Sequence, residues 1–120
     1  MSNKFIDIKF KFKDIAAGIE TIEKYAAEGY SMAQSALGNF HASGFHVPVS
    51  QSKALLYWQF AALDGNREAN LALGYRYYNG IALKKNCKKA SEHYSRVAAD
   101  VATDTQVLQY FSIFYNRCVL

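Results

Sequence analysis

Apolar and polar positions along the chain follow two helical patterns that alternate and return every 36 residues. Ala33, Ala36, Leu37 and Phe40 share one face at helical spacing and predict a helix from about Met32 to Ser43, repeated from about Glu68 to Asn79. Ala54, Tyr57, Trp58, Ala61 and Ala62 form the stripe of a second helix, which Gly65 ends. Between Ala33–Asn66 and Ala69–Ala102, nine of 34 aligned positions are identical. They are Ala33, Ala36, Leu37, Gly38, Gly44, Lys53, Ala54, Ala62 and Asp64 with their partners 36 residues on. Most are small residues or leucine, the types that set how closely helices approach. A fixed period of this length marks a stacked array of helical hairpins, in which each hairpin hides its apolar stripe on its neighbours.

Turn chemistry keeps the same period. Gly44 and Gly80 suit left-handed helix ends. Ser50 and Asn86 stand 36 apart as helix N-caps, and Asp14 lies 36 earlier. A half unit, Asp14–Gly29, therefore precedes two full ones, with Ala26 and Gly29 matching Ala62 and Gly65. Val47 and Leu83 are expected under the loops between helices. Gly38 and Gly74 sit inside helices, where glycine costs up to about 1 kcal/mol relative to alanine. Their shared phase predicts a close neighbouring helix. The expected fold is all-α, a solenoid of helix-turn-helix units. Residues 1–13 form a lead-in, 14–100 the array and 101–120 a capping helix or tail.

The period fails beyond Asp100. Val101 replaces the turn glycine, and Gln109 and Tyr110 stand where Leu-Gly is due. Gln106–Leu120, with Tyr110, Phe111, Phe114 and Tyr115, is read as a helix over the last apolar face; an unrelated tail is the alternative. Lys4–Lys13 alternates apolar and polar residues without an evident partner strand, so coil or a helical lead-in is expected.

Charge and candidate chemistry change this picture little. The net charge is +4, and the basic residues are spread along the chain, so nucleic acid is not the expected partner. The densest group, Lys84, Lys85, Lys88 and Lys89, is read as a solvated loop. Tyr75–Tyr78, three tyrosines with Arg76, are expected to pack between helices rather than stack on bases. Cys87 and Cys118 are too few for a disulfide framework; one bridge is possible but not predicted. His41, His46 and His93 do not complete a zinc site. Neither His41 with Asp64 nor Cys87 with His93 makes a nucleophile–base pair, and no glycine-rich phosphate loop occurs, so no catalytic, metal or cofactor site is expected. No leader peptide is visible. The longest apolar tract, Val107–Val119, is interrupted and short of the roughly 20 residues of a membrane span.

The unit Ala-x-x-x-Leu-Gly-x-x-(Tyr/His)-x-x-Gly-(Ile/Phe)-x-(Val/Leu), followed by Ala and then Ala-Ala before the turn, resembles the Sel-one-like repeat. That family is related to the tetratricopeptide repeat and distinguished here by the longer loop and the period of 36. Leu73-Gly74-Tyr75-Arg76-Tyr77, Gly80-Ile81, Asn86-Cys87, Ala90, His93-Tyr94 and Val97-Ala98 are similar to the subfamily of adaptors in endoplasmic-reticulum-associated degradation. The resemblance covers roughly Tyr25–Ala102. It implies a tetratricopeptide-like superhelix acting as a non-catalytic scaffold, with a ubiquitin-ligase complex or misfolded clients as partners. It also implies residence in the endoplasmic reticulum. The alternatives are a cytosolic relative regulating signalling by protein contact, or a remnant of a longer array. First helices line the concave face of such arrays, so Gln34, Asn39, His41, Asn70, Arg76 and Tyr77 are the candidate partner-binding residues.

Overall fold

A computed structural model of the chain describes residues 15–101 together with 109, 112–113 and 116–118. Five helices are described in full: α1 (Ile15–Ala27), α2 (Ser31–Ser43), α3 (Gln51–Leu63), α4 (Arg67–Asn79) and α5 (Cys87–Val101). They follow the order expected from the period, with α2 and α4 the first helices and α1, α3 and α5 the second. The Asp14 cap, the Lys4–Lys13 lead-in and most of Gln106–Leu120 lie outside the described residues.

Local chemistry accounts for the ends. Ser50 Oγ accepts from Lys53 N at 3.3 Å, and Asn86 Oδ1 accepts from Lys89 N at 3.0 Å, each satisfying a first-turn amide. Asn66, which the sequence pattern did not single out, caps α4 in the same way through Ala69 N at 3.0 Å. Gly44 and Gly80 close α2 and α4 in the left-handed region, with φ of 76° and 67°. The loops that follow repeat in detail. Ser50 N donates to His41 O and Asn86 N to Tyr77 O, both at 2.9 Å, pinning each loop back to its first helix. His46 and Ala82, at one position of the two units, both take positive φ.

The core lies between successive hairpins. Ala54, Trp58, Ala61 and Ala62 of α3 cluster with Ala69 and Leu73 of α4. Gly38 and Gly74 mark the close approaches. A Cβ at Gly38 would lie 2.4 Å from Trp58 Cδ1, and one at Gly74 would lie 2.8 Å from Tyr94 Cε1. Trp58 and Tyr94 occupy one position of the two units, so each mid-helix glycine admits the large ring of its own second helix.

One expectation needs correction. The bridge left unpredicted is formed: Cys87, at the start of α5, is bonded to Cys118 across 31 residues of sequence. Pairing over that distance depends on where the chain end lies against α5, which no local pattern encodes.

Candidate functional site

The first helices present two kinds of side chain. One set points back into the hairpins. His41 is buried and stacks on Tyr57, with ring centres 5.7 Å apart and planes 5° from parallel. The next unit repeats the pair with its members exchanged: Tyr77 stacks on His93 at 5.7 Å and 8°. Asn70 is only 1% exposed. Its Oδ1 lies 2.9 Å from His93 Nδ1, and its Nδ2 donates to Asn66 O at 3.0 Å. His93 is held below the usual imidazole range, first by burial and then by the nearby Arg96 charge; Lys89 adds to this and Glu92 opposes it.

A second set joins the two units. Trp58 Nε1 donates to Asn39 Oδ1 at 3.2 Å. The Arg76 guanidinium lies 4.9 Å from the centre of the same ring and donates to Gln51 Oε1 at 2.5 Å. Gln51 Nε2 in turn donates to Ala42 O at 3.2 Å. Trp58 is thus gripped from α2 by Asn39 and from α4 by Arg76. Desolvation lowers the Arg76 pKa, but arginine starts so high that it keeps its charge.

The six sequence candidates therefore divide. Asn39 is exposed, Arg76 and Tyr77 are half-buried, and Asn39 and Arg76 meet around Trp58. His41 and Asn70 are taken into the packing and do not face solvent. Gln34 faces elsewhere: its Nε2 donates to Ala26 O at 3.3 Å, and it lines a cleft of about 330 Å³ with Glu23, Tyr57 and Phe60. Sequence reasoning missed Gln51 and the hub role of Trp58. The available signal was that Trp58 is the single tryptophan and lies on the stripe facing Gly38.

Among the exposed residues of α2 and α4 is a row at matching positions, Met32 with Glu68 and Asn39 with Tyr75. Met32 is 81% and Tyr75 57% exposed, large apolar surfaces left open beside polar groups. Helices α2 and α4 touch each other directly, which brings the two halves of the row together. The row runs into an open cleft of about 390 Å³ lined by Met32, Asn66, Arg67, Glu68 and Asp100. Such a surface offers apolar contact, hydrogen bonds and both signs of charge, the means of holding a peptide or helix. Among the described residues, no three His, Cys, Asp or Glu side chains come together as a metal site, and no helix is long and apolar enough to cross a membrane.

Comparison with known proteins agrees with this geometry. The family model described as Sel1 repeat matches residues 31–66 and 67–100. The chain is 36% identical over 102 residues to the mouse "Protein sel-1 homolog 2", covering 85% of this chain and 15% of that protein. The human protein of the same name is 37% identical over 105 residues, covering 88% of this chain and again 15% of the relative. An Arabidopsis thaliana protein named "ERAD-associated E3 ubiquitin-protein ligase component HRD3B" is 35% identical over 81 residues, 67% of this chain and 13% of that one. The chain thus spans about a seventh of the length of these relatives. Among solved structures, a Sel1 repeat protein from Oxalobacter formigenes superposes with a TM-score of 0.71 at 22% identity, over 83% of this chain and 74% of that chain. That likeness supports the tetratricopeptide-like solenoid fold.

Proposed function

The chain belongs to the Sel1 repeat family, and we propose that it is a non-catalytic adaptor module of the ubiquitin-ligase machinery in endoplasmic-reticulum-associated degradation, with a peptide or helix of a partner protein docked on its first-helix row. The observation that carries this reading is the division of labour on α2 and α4. Asn39 and Arg76 grip Trp58 and make the joint between units rigid, while Met32 and Tyr75 beside them stay uncovered. A rigid scaffold loses little entropy on binding, so exposed aromatic and apolar groups on it convert contact into affinity. Asn39 and Arg76, with Met32 and Tyr75, make up the proposed face; Tyr77, stacked on His93 and packed against the core, belongs to the interior of the second hairpin.

The choice of pathway rests on the names of the relatives, in particular the ligase component of Arabidopsis thaliana. The Cys87–Cys118 bridge supports an oxidising compartment such as the lumen of the endoplasmic reticulum over the cytosol, where thiols are kept reduced. The two units present a small face, so modest affinity is expected of this stretch.

The test is co-precipitation with the membrane ubiquitin ligase of this pathway after targeting the chain to the lumen. Recovery above that of an unrelated helical-repeat control, reduced by Met32→Ser with Tyr75→Ser, is the expected outcome. Recovery no better than the control would overturn the assignment to this machinery. A specific cytosolic partner, captured by the untargeted chain through the same row, would instead favour the signalling alternative.

A further inference from the structure

Charge is segregated across the array. The loops that join α2 to α3 and α4 to α5 share one edge, and there Lys53, Lys84, Lys85, Lys88 and Lys89 are all exposed. Neither Gly44–Leu56 nor Gly80–Ser91 contains an acid. Glu28, Asp64, Glu68 and Asp100 lie at the opposite edge, around the tight turns and the end of α5, with Lys24 and Arg67 as the bases there. The two loops are neighbours, because Arg76 in the last turn of α4 donates to Gln51 at the start of α3. Helix stability does not account for the lysines. First turns favour acids, since their unpaired amides are positive. Neither α3 nor α5 has an acid there, and Lys53, Lys88 and Lys89 stand in its place.

Apolar side chains stand among these lysines. Phe45 is 47%, Val49 62% and Ile81 39% exposed. The groups are held in place: the Phe45 ring lies 5.4 Å from that of Phe40 and meets His46 edge-on at 4.4 Å. Lys85 and Lys89 lie over the rings of Tyr78 and Tyr77. The clefts of about 390 and 330 Å³ are lined by none of the loop-edge lysines or apolar tips.

We infer that this loop edge is a peripheral contact surface for an anionic lipid membrane: the lysines meet the headgroups, and Phe45, Val49 and Ile81 enter the interface between them. Lysines alone would suit any polyanion, held by an attraction that salt screens. Apolar tips between them gain nothing from a nucleic-acid backbone, but they leave water when they enter the acyl boundary. An acidic peptide with apolar side chains would need recesses to receive them, whereas the apolar groups of this edge project and neither cleft reaches them. The surface leaves out Met32 and Tyr75, so it is independent of which partner the first-helix row binds.

The experiment is flotation of the full chain with vesicles of phosphatidylcholine alone and with about one-third phosphatidylserine. Binding to the anionic vesicles is expected to be roughly tenfold or more stronger than to the neutral ones, and to fall steeply as salt is raised. Lys84→Gln with Lys88→Gln, which spares the lysines seated on tyrosines, should weaken it roughly tenfold or more, because each lysine near an anionic surface is worth about fivefold. Val49→Ser with Ile81→Ser should weaken it roughly threefold or more. Circular dichroism melts establish that both variants keep the fold. Equal binding to the two kinds of vesicle, or binding to neither, would overturn the surface, and so would a lysine variant that binds like the wild type. Anionic binding that ignores the Val49 and Ile81 substitutions would overturn it too, by reducing the edge to a patch for any polyanion, an acidic peptide included.

Discussion

Arg76 and Trp58 lie in different repeat units, yet the guanidinium stands 4.9 Å from the indole centre and is fixed there by its hydrogen bond to Gln51. This contact joins a second helix to the first helix that follows it, so it couples units where a solenoid depends on neighbour contacts. Arg76→Ala should lower stability by about 1–2 kcal/mol, combining a partly desolvated cation–π contact with a hydrogen bond to a charged donor. In a double-mutant cycle with Trp58→Phe, the coupling energy should exceed about 0.5 kcal/mol. Additive urea midpoints would show that the contact contributes nothing.

The mid-helix glycines give opposite expectations in different helices. Alanine normally gains up to about 1 kcal/mol over glycine inside a helix. At Gly18 of α1 an added Cβ meets nothing within 4 Å, so Gly18→Ala should raise the melting temperature. At Gly38 the Cβ would stand 2.4 Å from two atoms of the Trp58 ring, which is itself held from both sides. Gly38→Ala should therefore cost on the order of 1–3 kcal/mol through overpacking. Gly74→Ala, against Tyr94, should fall in the same direction. Thermal melts of the three single variants would decide, and equal shifts at Gly18 and Gly38 would contradict the packing account.

Acidification should weaken the second unit. His93 is held below its ordinary value of 6.5 in the folded chain, chiefly by burial. Below that ordinary value the unfolded chain takes up a proton that the folded chain still resists, so this residue's contribution is intact above about 6.5 and is lost as pH falls toward the lowered value. The urea midpoint should fall from pH 7.5 to 5.5, and His93→Gln should make the fall shallower. An unchanged slope would separate the acid response from His93.

The exchanged ring pairs allow a direct swap. His41 with Tyr57 and Tyr77 with His93 stack at the same separation, so the two orders are sterically equivalent. His41→Tyr combined with Tyr57→His should destabilise by less than the sum of the single changes, because only the double variant restores a mixed pair. Chemical denaturation of the three proteins measures the difference. A double variant no better than the sum would mean that the surroundings, rather than the pair, select the order.

The chain's own residues determined the repeat, the helix order, the Ser50 and Asn86 caps, the Gly44 and Gly80 stops and the tight spots at Gly38 and Gly74. Each depends on a residue's chemistry within a turn or two of its neighbours, and a fixed period copies that chemistry into both units. Tertiary structure decided the rest. It turned His41 and Asn70 inward among candidates that share the first helices with Asn39, set Arg76 over Trp58, and brought Cys118 to Cys87. A helical period assigns a residue to a face, but which of two neighbouring faces meets a partner depends on how successive hairpins are rotated as they stack. That rotation is settled by side-chain packing between residues far apart in sequence, and the separation of 31 residues between the bonded cysteines is its plainest case here.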